Sequence, residues 1–367
     1  MRLAITHAFC WPEVRRGGER YIQSMGTALA SRGHDVVILS SGWEPSTTEL
    51  DGVTTVRFRR VARDDRLHER HFGARVLPAL LAGRFDAVHS MGRHDAVAST
   101  LAAAAHPQRR TVFTDLGVPD RAWWRTQGRA DLLAVGQVVR SINVYGCMSR
   151  WALSYLERDW HRSDGVVTPG GVELADFRPA ARHPEPTLLF SGAVTEPRKG
   201  VAELLQALAL VSPRVPDVRL QLSGPGDPRK LLASAPPGVA DRVEILGLGS
   251  PDEQAQRYAR AWLTVLPSTY DSFGMALVES LSCGTPLVTT TEGAPKELVD
   301  EASTGTTCRA HDPHDLAAAI LRGLDLARAP ATVDACRASA SRFDWTTSLA
   351  PAAECLYRGE PPPPPWC

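Results

Sequence analysis

Lysine is scarce in this 367-residue chain: of 41 basic residues only Lys199, Lys230 and Lys296 are lysines. We read that bias as compositional rather than chemical. The seven cysteines are odd in number and scattered, and none forms a CxxC pair. That argues against a disulfide framework and a cysteine zinc site. There is no HExxH and no Asp-x-Asp, which argues against a metal-held diphosphate, and no metal is expected. No run approaches the ~18 apolar residues of a membrane span. The opening MRLAITHAFCWPEV lacks the apolar core of a secretion signal, so a cytoplasmic protein is expected. With 41 acidic residues the net charge is zero, and no nucleic-acid partner is expected.

What is present is enough apolar residue, 43% against 22% charged, to bury sizeable cores and to exclude disorder as the main state. The charge is unevenly spread. Residues 1–180 hold 24 arginines against 19 acids, a net +5, leaving −5 for the rest. That division fits two domains.

The strand candidates are continuous apolar runs, as buried parallel strands require. RLAITHAF opens the chain. Gly17-Gly18 then turns into a helix carrying Tyr21, Ile22, Met25 and Leu29, and DVVILSS (35–41) follows, completing a strand–helix–strand unit. VTTVRF (53–58), FDAVHS (85–90), RTVFTD (110–115) and INVYGCM (142–148) continue the pattern. The polar, proline-containing stretch 180–186 reads as a linker. A second series runs through TLLFSG (187–192), VRLQLSG (218–224), VEILGL (243–248), LTVLPS (263–268) and PLVTTT (286–291). The expected architecture is α/β: two Rossmann-like doubly wound domains facing across a cleft, with ligands beyond the carboxyl ends of the strands. The boundaries expected are 1–180, 181–341, a closing helix at 342–359 packing back across the domains, and a proline-rich disordered tail at 360–367.

The sharpest chemical signal is PSTYDSFGMALVESLSCGTPLVTTTEGAPKELV (267–299). A strand ends at Pro267-Ser268 and Gly274 begins a helix, so Asp271 lies in the loop and Glu279 one to two turns into the helix. Backbone N–H groups at a helix start suit an anion, and a carboxylate on that helix suits the two hydroxyls of a ribose. The segment resembles the Glu-x7-Glu region of family 4 glycosyltransferases, which have the GT-B fold, with Asp271 at the first acid and Glu279 at the second.

Other segments agree. GGERYIQSMGTALASRGHDVVIL (17–39) resembles the family's N-terminal glycine-pair signature, and VVTPGGVELADFRP (166–179) its interdomain motif. FSGAVTEPRKGVAELLQAL (190–208) resembles the strand–loop–helix that supplies an arginine and a lysine to the leaving diphosphate, and RFDWTTSLAPAAECLY (342–357) resembles the closing helix. The resemblance covers nearly the whole chain and is weakest at 45–140, where these enzymes recognise acceptors. It implies retaining, metal-independent hexosyl transfer from a UDP- or GDP-linked sugar, with no other cofactor. Glu279 would hold the ribose. Asp271, Ser272, Phe273, Gly274 and Met275 would meet the donor sugar, Lys199 and Arg198 the diphosphate, Gly17 and Gly18 the phosphates, and the backbone near Leu248 the base. Two departures stand out: Ala193 replaces the family arginine, so that Arg198 is the substitute, and Thr114 replaces a histidine. Thr114 or Asp115 then takes the catalytic place beside Lys199 and Asp271, with His89 as a further candidate.

For the acceptor, Trp123 and Trp124 offer an aromatic wall and His89 a polar contact. A small hydrophilic acceptor is favoured, in specialised-metabolite, cyclitol or thiol biosynthesis. The alternatives are a membrane-associated enzyme acting on a lipid or polysaccharide precursor, for which the basic run Arg59–Arg75 is the argument, and a degenerate protein that binds sugar nucleotides without turnover. A sugar-nucleotide epimerase or a phosphorylase on the same two-domain shape fits less well.

Overall fold

The computed structural model describes residues 1–363. The chain divides into two α/β units: Met1–Gly171 with the segment from Trp345 onward, and Val172–Asp344. The division thus falls at Gly171/Val172, ahead of the proline-containing stretch expected to be the linker. That stretch is fastened to the second unit. The His183 N–H donates to the Arg260 carbonyl (2.9 Å), the Trp262 indole N–H to the His183 carbonyl (2.8 Å), and Arg182 to Ala327.

The first unit contains β1 (Arg2–Thr6), β2 (Asp35–Gly42), β3 (Ser46–Leu50), β4 (Val53–Arg59), β5 (Ala87–Ser90), β6 (Arg110–Asp115), β7 (Val144–Cys147) and β8 (Val166–Val167). They form one sheet in the order β3-β4-β2-β1-β5-β6-β7-β8. Every pairing is parallel except β3 with β4. That hairpin closes on Asp51-Gly52, both at positive φ, an Asp-Gly turn of the kind that matches strand twist. Phe72, Val76 and Leu80 of the helix Asp65–Ala82 bury against Ala4, Val37, Leu39 and Val88.

The second unit contains β9 (Thr187–Ser191), β10 (Arg219–Ser223), β11 (Val243–Gly247), β12 (Leu263–Leu266), β13 (Leu287–Thr290) and β14 (Gly305–Cys308). All six are parallel, in the order β11-β10-β9-β12-β13-β14. This is the doubly wound arrangement, with the order reversing between β9 and β12. Leu188, Leu189, Leu220, Leu222, Leu263, Val265 and Val288 are all buried, which is why these strands read as unbroken apolar runs.

The closing segment, Trp345 to Arg358, belongs to the first unit. The Trp345 ring meets Tyr21 edge-on at 5.0 Å. On the helix Ala350–Arg358, Glu354 accepts from Arg32 Nε (2.6 Å) and Nη2 (3.1 Å) and bonds to His34 Nε2 (2.9 Å). These partners, Arg32 first, hold its carboxyl down at about 2. The start of the expected tail is packed rather than free: the Glu360 N–H donates to the Cys355 carbonyl (2.8 Å), and Pro362 is buried. The remainder of that expectation, 364–367, lies outside the described residues.

Tyr357 of the same helix reaches His89, Oη to Nδ1 at 2.8 Å, and the other ring nitrogen meets Thr114 Oγ1 at 2.8 Å. Burial pushes the imidazole down to about 3. An unfolded histidine near 6.5 takes up a proton that the folded ring refuses, so this contribution to stability is complete above pH 6.5 and is lost as pH falls toward 3. We expect His89→Gln to remove about 1.4 kcal/mol per pH unit from the acid slope of unfolding free energy between pH 6 and 4. Denaturant titrations of both proteins across that range check it; equal slopes refute it.

Candidate active site

The loops after β9 and β12 leave the sheet side by side at its switch point, and the motif residues of the second unit lie on them. Asp271 is buried and takes two cations. Lys199 Nζ lies 2.9 Å from its Oδ1 and 2.8 Å from its Oδ2, and Arg198 Nη1 bonds to Oδ1. The Ser268 hydroxyl donates to Oδ2 at 2.7 Å, and the Asp271 carbonyl accepts from the Ala294 N–H at 3.1 Å. Burial alone would raise this carboxyl, but Lys199 and then Arg198 outweigh it and hold it below the ordinary value. Arg198 answers in kind: burial works against its charge, and Asp271 raises its pKa nonetheless. Arg198 also pairs with the half-exposed Glu196.

Gly274 caps the helix Met275–Ser282 at φ +105, a conformation that a side chain resists. Phe273 is buried, its ring 5.5 Å from Phe343. Ser272 and Met275 are half-buried beside it. Glu279 sits on the inner face of that helix, 5% exposed, and bonds to the Tyr258 hydroxyl. Burial first, then the Glu279 charge, push the Tyr258 phenol well above its ordinary value. Leu248 is 62% exposed at the end of β11.

In the first unit, Gly17 and Gly18 open the helix Gly17–Ser31 as expected, and no side chain caps it. A Cβ on Gly18 would lie 3.0 Å from Leu116 of the loop after β6, so glycine allows that approach. Asp115 ends β6 with its carboxylate already engaged: it accepts from the Tyr145 hydroxyl (2.9 Å) and the Gly117 N–H (2.9 Å), and burial raises its pKa. Thr114 is fully buried, bonded to His89 and to Thr168 Oγ1 at 3.0 Å. His89, expected to face the acceptor, instead has both ring nitrogens bonded inside the unit and is 2% exposed. The tryptophan pair splits. Trp124 is buried, with the Arg93 guanidinium 4.9 Å from its ring, while Trp123 is 45% exposed. Only Trp123 offers a free aromatic face.

Two family descriptions match: Glycosyltransferase Family 4 over residues 15–176, and Glycosyl transferases group 1 over residues 185–325. A glycogen synthase of Mycobacterium tuberculosis is 30% identical over 97% of this chain and 95% of its own length. The chain belongs to the family 4 glycosyltransferases. A phosphatidyl-myo-inositol mannosyltransferase of the same organism is 34% identical over 54% of this chain and 56% of its own. Among solved structures, the Anabaena protein HepE, determined in complex with UDP-glucose, superposes with a TM-score of 0.77 at 17% identity, covering 98% of this chain and all of that one. The fold is GT-B and the protein is a glycosyltransferase. Among the described residues no group of acids, histidines and cysteines could hold a metal, and no helix is long and apolar enough to cross a membrane.

The sequence reading of this glycosyltransferase missed the polar side chains behind the motif: Ser268, Ser191, Ser223, Gln254, Arg257 and Tyr258. Each is an ordinary residue at a strand end or on a helix, and no local pattern marks it. The ion cluster yields a stability test. Asp271→Ala leaves Lys199 without its carboxylate partner and Arg198 with only the half-exposed Glu196, and should cost about 2 kcal/mol. Glu196→Ala, at the exposed end of the same cluster, should cost less than about 0.5 kcal/mol. Equal midpoints for the two variants in urea unfolding would refute the ranking.

Proposed function

We propose that this enzyme transfers a hexosyl group, with retention, from a nucleoside diphosphate sugar to a hydroxyl of a small hydrophilic acceptor. The observation that carries the reading is the convergence of Lys199 and Arg198 on Asp271 where the strand order of the second unit reverses, with Glu279 on the following helix. A diphosphate fits the two cations, and a ribose diol fits the Glu279 carboxylate. The family relationship and the UDP-glucose complex of HepE support a sugar-nucleotide donor.

In the reaction the bond from the anomeric carbon to the leaving phosphate oxygen breaks and a bond to the acceptor oxygen forms. Positive charge develops on the sugar while the diphosphate gains negative charge. Lys199 and Arg198 would stabilise that anion, each by about 3 kcal/mol. The leaving oxygen itself accepts the acceptor's proton, so the transfer needs no protein base.

A hydrophilic acceptor is favoured because much of the basic run is already committed. Arg60 pairs with Asp65, Arg66 with Gln127, and Arg70 with the fully buried Asp131. Asp65 and Asp131 neutralise two of the run's six arginines, which lowers its charge toward an anionic lipid surface. Exposed Trp123 suits a sugar or cyclitol face. The lipid-acceptor alternative draws on the mannosyltransferase relative, and binding to anionic vesicles would favour it.

Calorimetry with UDP and with GDP tests the donor site. One of the two should bind at micromolar strength, Glu279→Ala should weaken it by at least about tenfold, and Lys199→Ala should lower turnover by about 100-fold. If neither nucleotide binds the parent protein, or Glu279→Ala binds as well as the parent, the reading fails.

A further inference from the structure

A line of buried and half-buried polar groups runs across the carboxyl ends of β9, β10 and β11. Arg257, on the helix Pro251–Arg260, donates through Nη1 to Ser223 Oγ (2.9 Å) and to the Gly247 carbonyl (2.9 Å), and through Nη2 to the Leu246 carbonyl (3.3 Å). The Ser223 hydroxyl donates to Gln254 Oε1 (2.7 Å), and Gln254 Nε2 to Ser191 Oγ (3.1 Å). Ser191 is bonded to the Tyr258 hydroxyl (2.9 Å), and Tyr258 to Glu279. The guanidinium can only donate and the carboxylate can only accept. From Arg257 through Ser223 and Gln254 each group donates to the next, and Ser191 accepts from Gln254 on one side and from the Tyr258 hydroxyl on the other.

At its arginine end the line grips backbone. The Gly247 carbonyl accepts from both Arg257 and the Gly224 N–H (3.0 Å). Gly249 packs flat on the guanidinium: a Cβ there would lie 2.9 Å from Arg257 Cζ and Nη1. Arg257 therefore holds Leu246–Gly249 from two sides, by hydrogen bonds to two carbonyls and by contact with a residue that has no side chain. Leu248, at the crest of that segment, projects into solvent.

We propose that Arg257 is a positioning residue for nucleotide-base selection. It fixes the 246–249 backbone as one wall of the base pocket and ties it, through Ser223, Gln254, Ser191 and Tyr258, to the carboxylate that receives the ribose. The proposal rests on the donor-site reading above. It adds that the choice between a pyrimidine and a purine diphosphate depends on a side chain that touches neither base nor sugar.

The test is calorimetry on the full chain with UDP, GDP and inorganic pyrophosphate. Arg257→Ala should weaken the preferred nucleotide by about tenfold or more, narrow the UDP-to-GDP ratio toward one, and leave pyrophosphate within about twofold. Gly249→Ala guards against a folding failure at position 257. It keeps the arginine but pushes a methyl against it, and should reproduce the lost selectivity, with the double variant adding less than about twofold. Unchanged selectivity in both variants overturns the proposal, as does an equal loss of pyrophosphate, which would mark general damage. The two readings fail differently. If the parent binds neither nucleotide, the donor site falls and takes this inference with it. If Glu279→Ala loses the nucleotide while Arg257→Ala keeps both affinity and selectivity, only the clamp falls.

Discussion

A parallel sheet whose strand order reverses cannot close the space above the reversal. In the second unit the chain leaving β9 crosses to the helix Val201–Val211 on one face, and the chain leaving β12 crosses to Met275–Ser282 on the other. Right-handed crossovers in opposite directions require those opposite faces. The loops 192–200 and 267–274 diverge from a common point. The polar chemistry of the unit collects there because only there can a charged side chain be supported by the sheet ends without being sealed into the core. Asp271 shows the balance. It is buried enough for desolvation to oppose its charge, yet Lys199 and Arg198 keep it ionised.

That constraint also explains what was legible from residues alone. Strands buried on both faces are continuous apolar runs, and TLLFSG, LTVLPS and PLVTTT identify β9, β12 and β13 for that reason. Asp271 and Glu279 stand out because their spacing places them in one loop and on the helix that follows it, and Lys199 because its strand–loop–helix segment resembles the family's. β3 did not stand out. STTEL is exposed at every position and carries no apolar alternation, so only the Asp51-Gly52 turn marks it. The domain boundary was misplaced because a proline-containing polar stretch looks like a tether when its backbone partners, Arg260 and Trp262, lie far along the chain. The line from Arg257 to Glu279 was invisible for the same reason. Its members come from strand ends and helices dispersed over residues 191–279, and only the fold aligns them.

The two departures from the family pattern find different resolutions. Ala193 removes a cation from the loop after β9, and Arg198, five positions on, brings one to the same carboxylate as Lys199. On the proposed reading Arg198 supplies the missing charge from a different position in the chain. At the other departure, Thr114 is not exposed in place of a histidine. It is sealed beneath Tyr357 and His89, in a hydrogen-bonded group that also includes Thr168. His89 is next to it, but an imidazole held near 3 is uncharged at neutral pH and too weak a base to take a hydroxyl proton. The first unit thus holds a fully bonded threonine and histidine where the family has a histidine that contacts the donor sugar. In the proposed transfer this is no deficiency. When the leaving phosphate takes the acceptor's proton, the demand on the protein is to stabilise negative charge on that phosphate, and the groups able to do so are Lys199 and Arg198. An enzyme of this design tolerates loss of the histidine but not of the lysine, because the first would only orient a reactant while the second carries charge that the transition state creates.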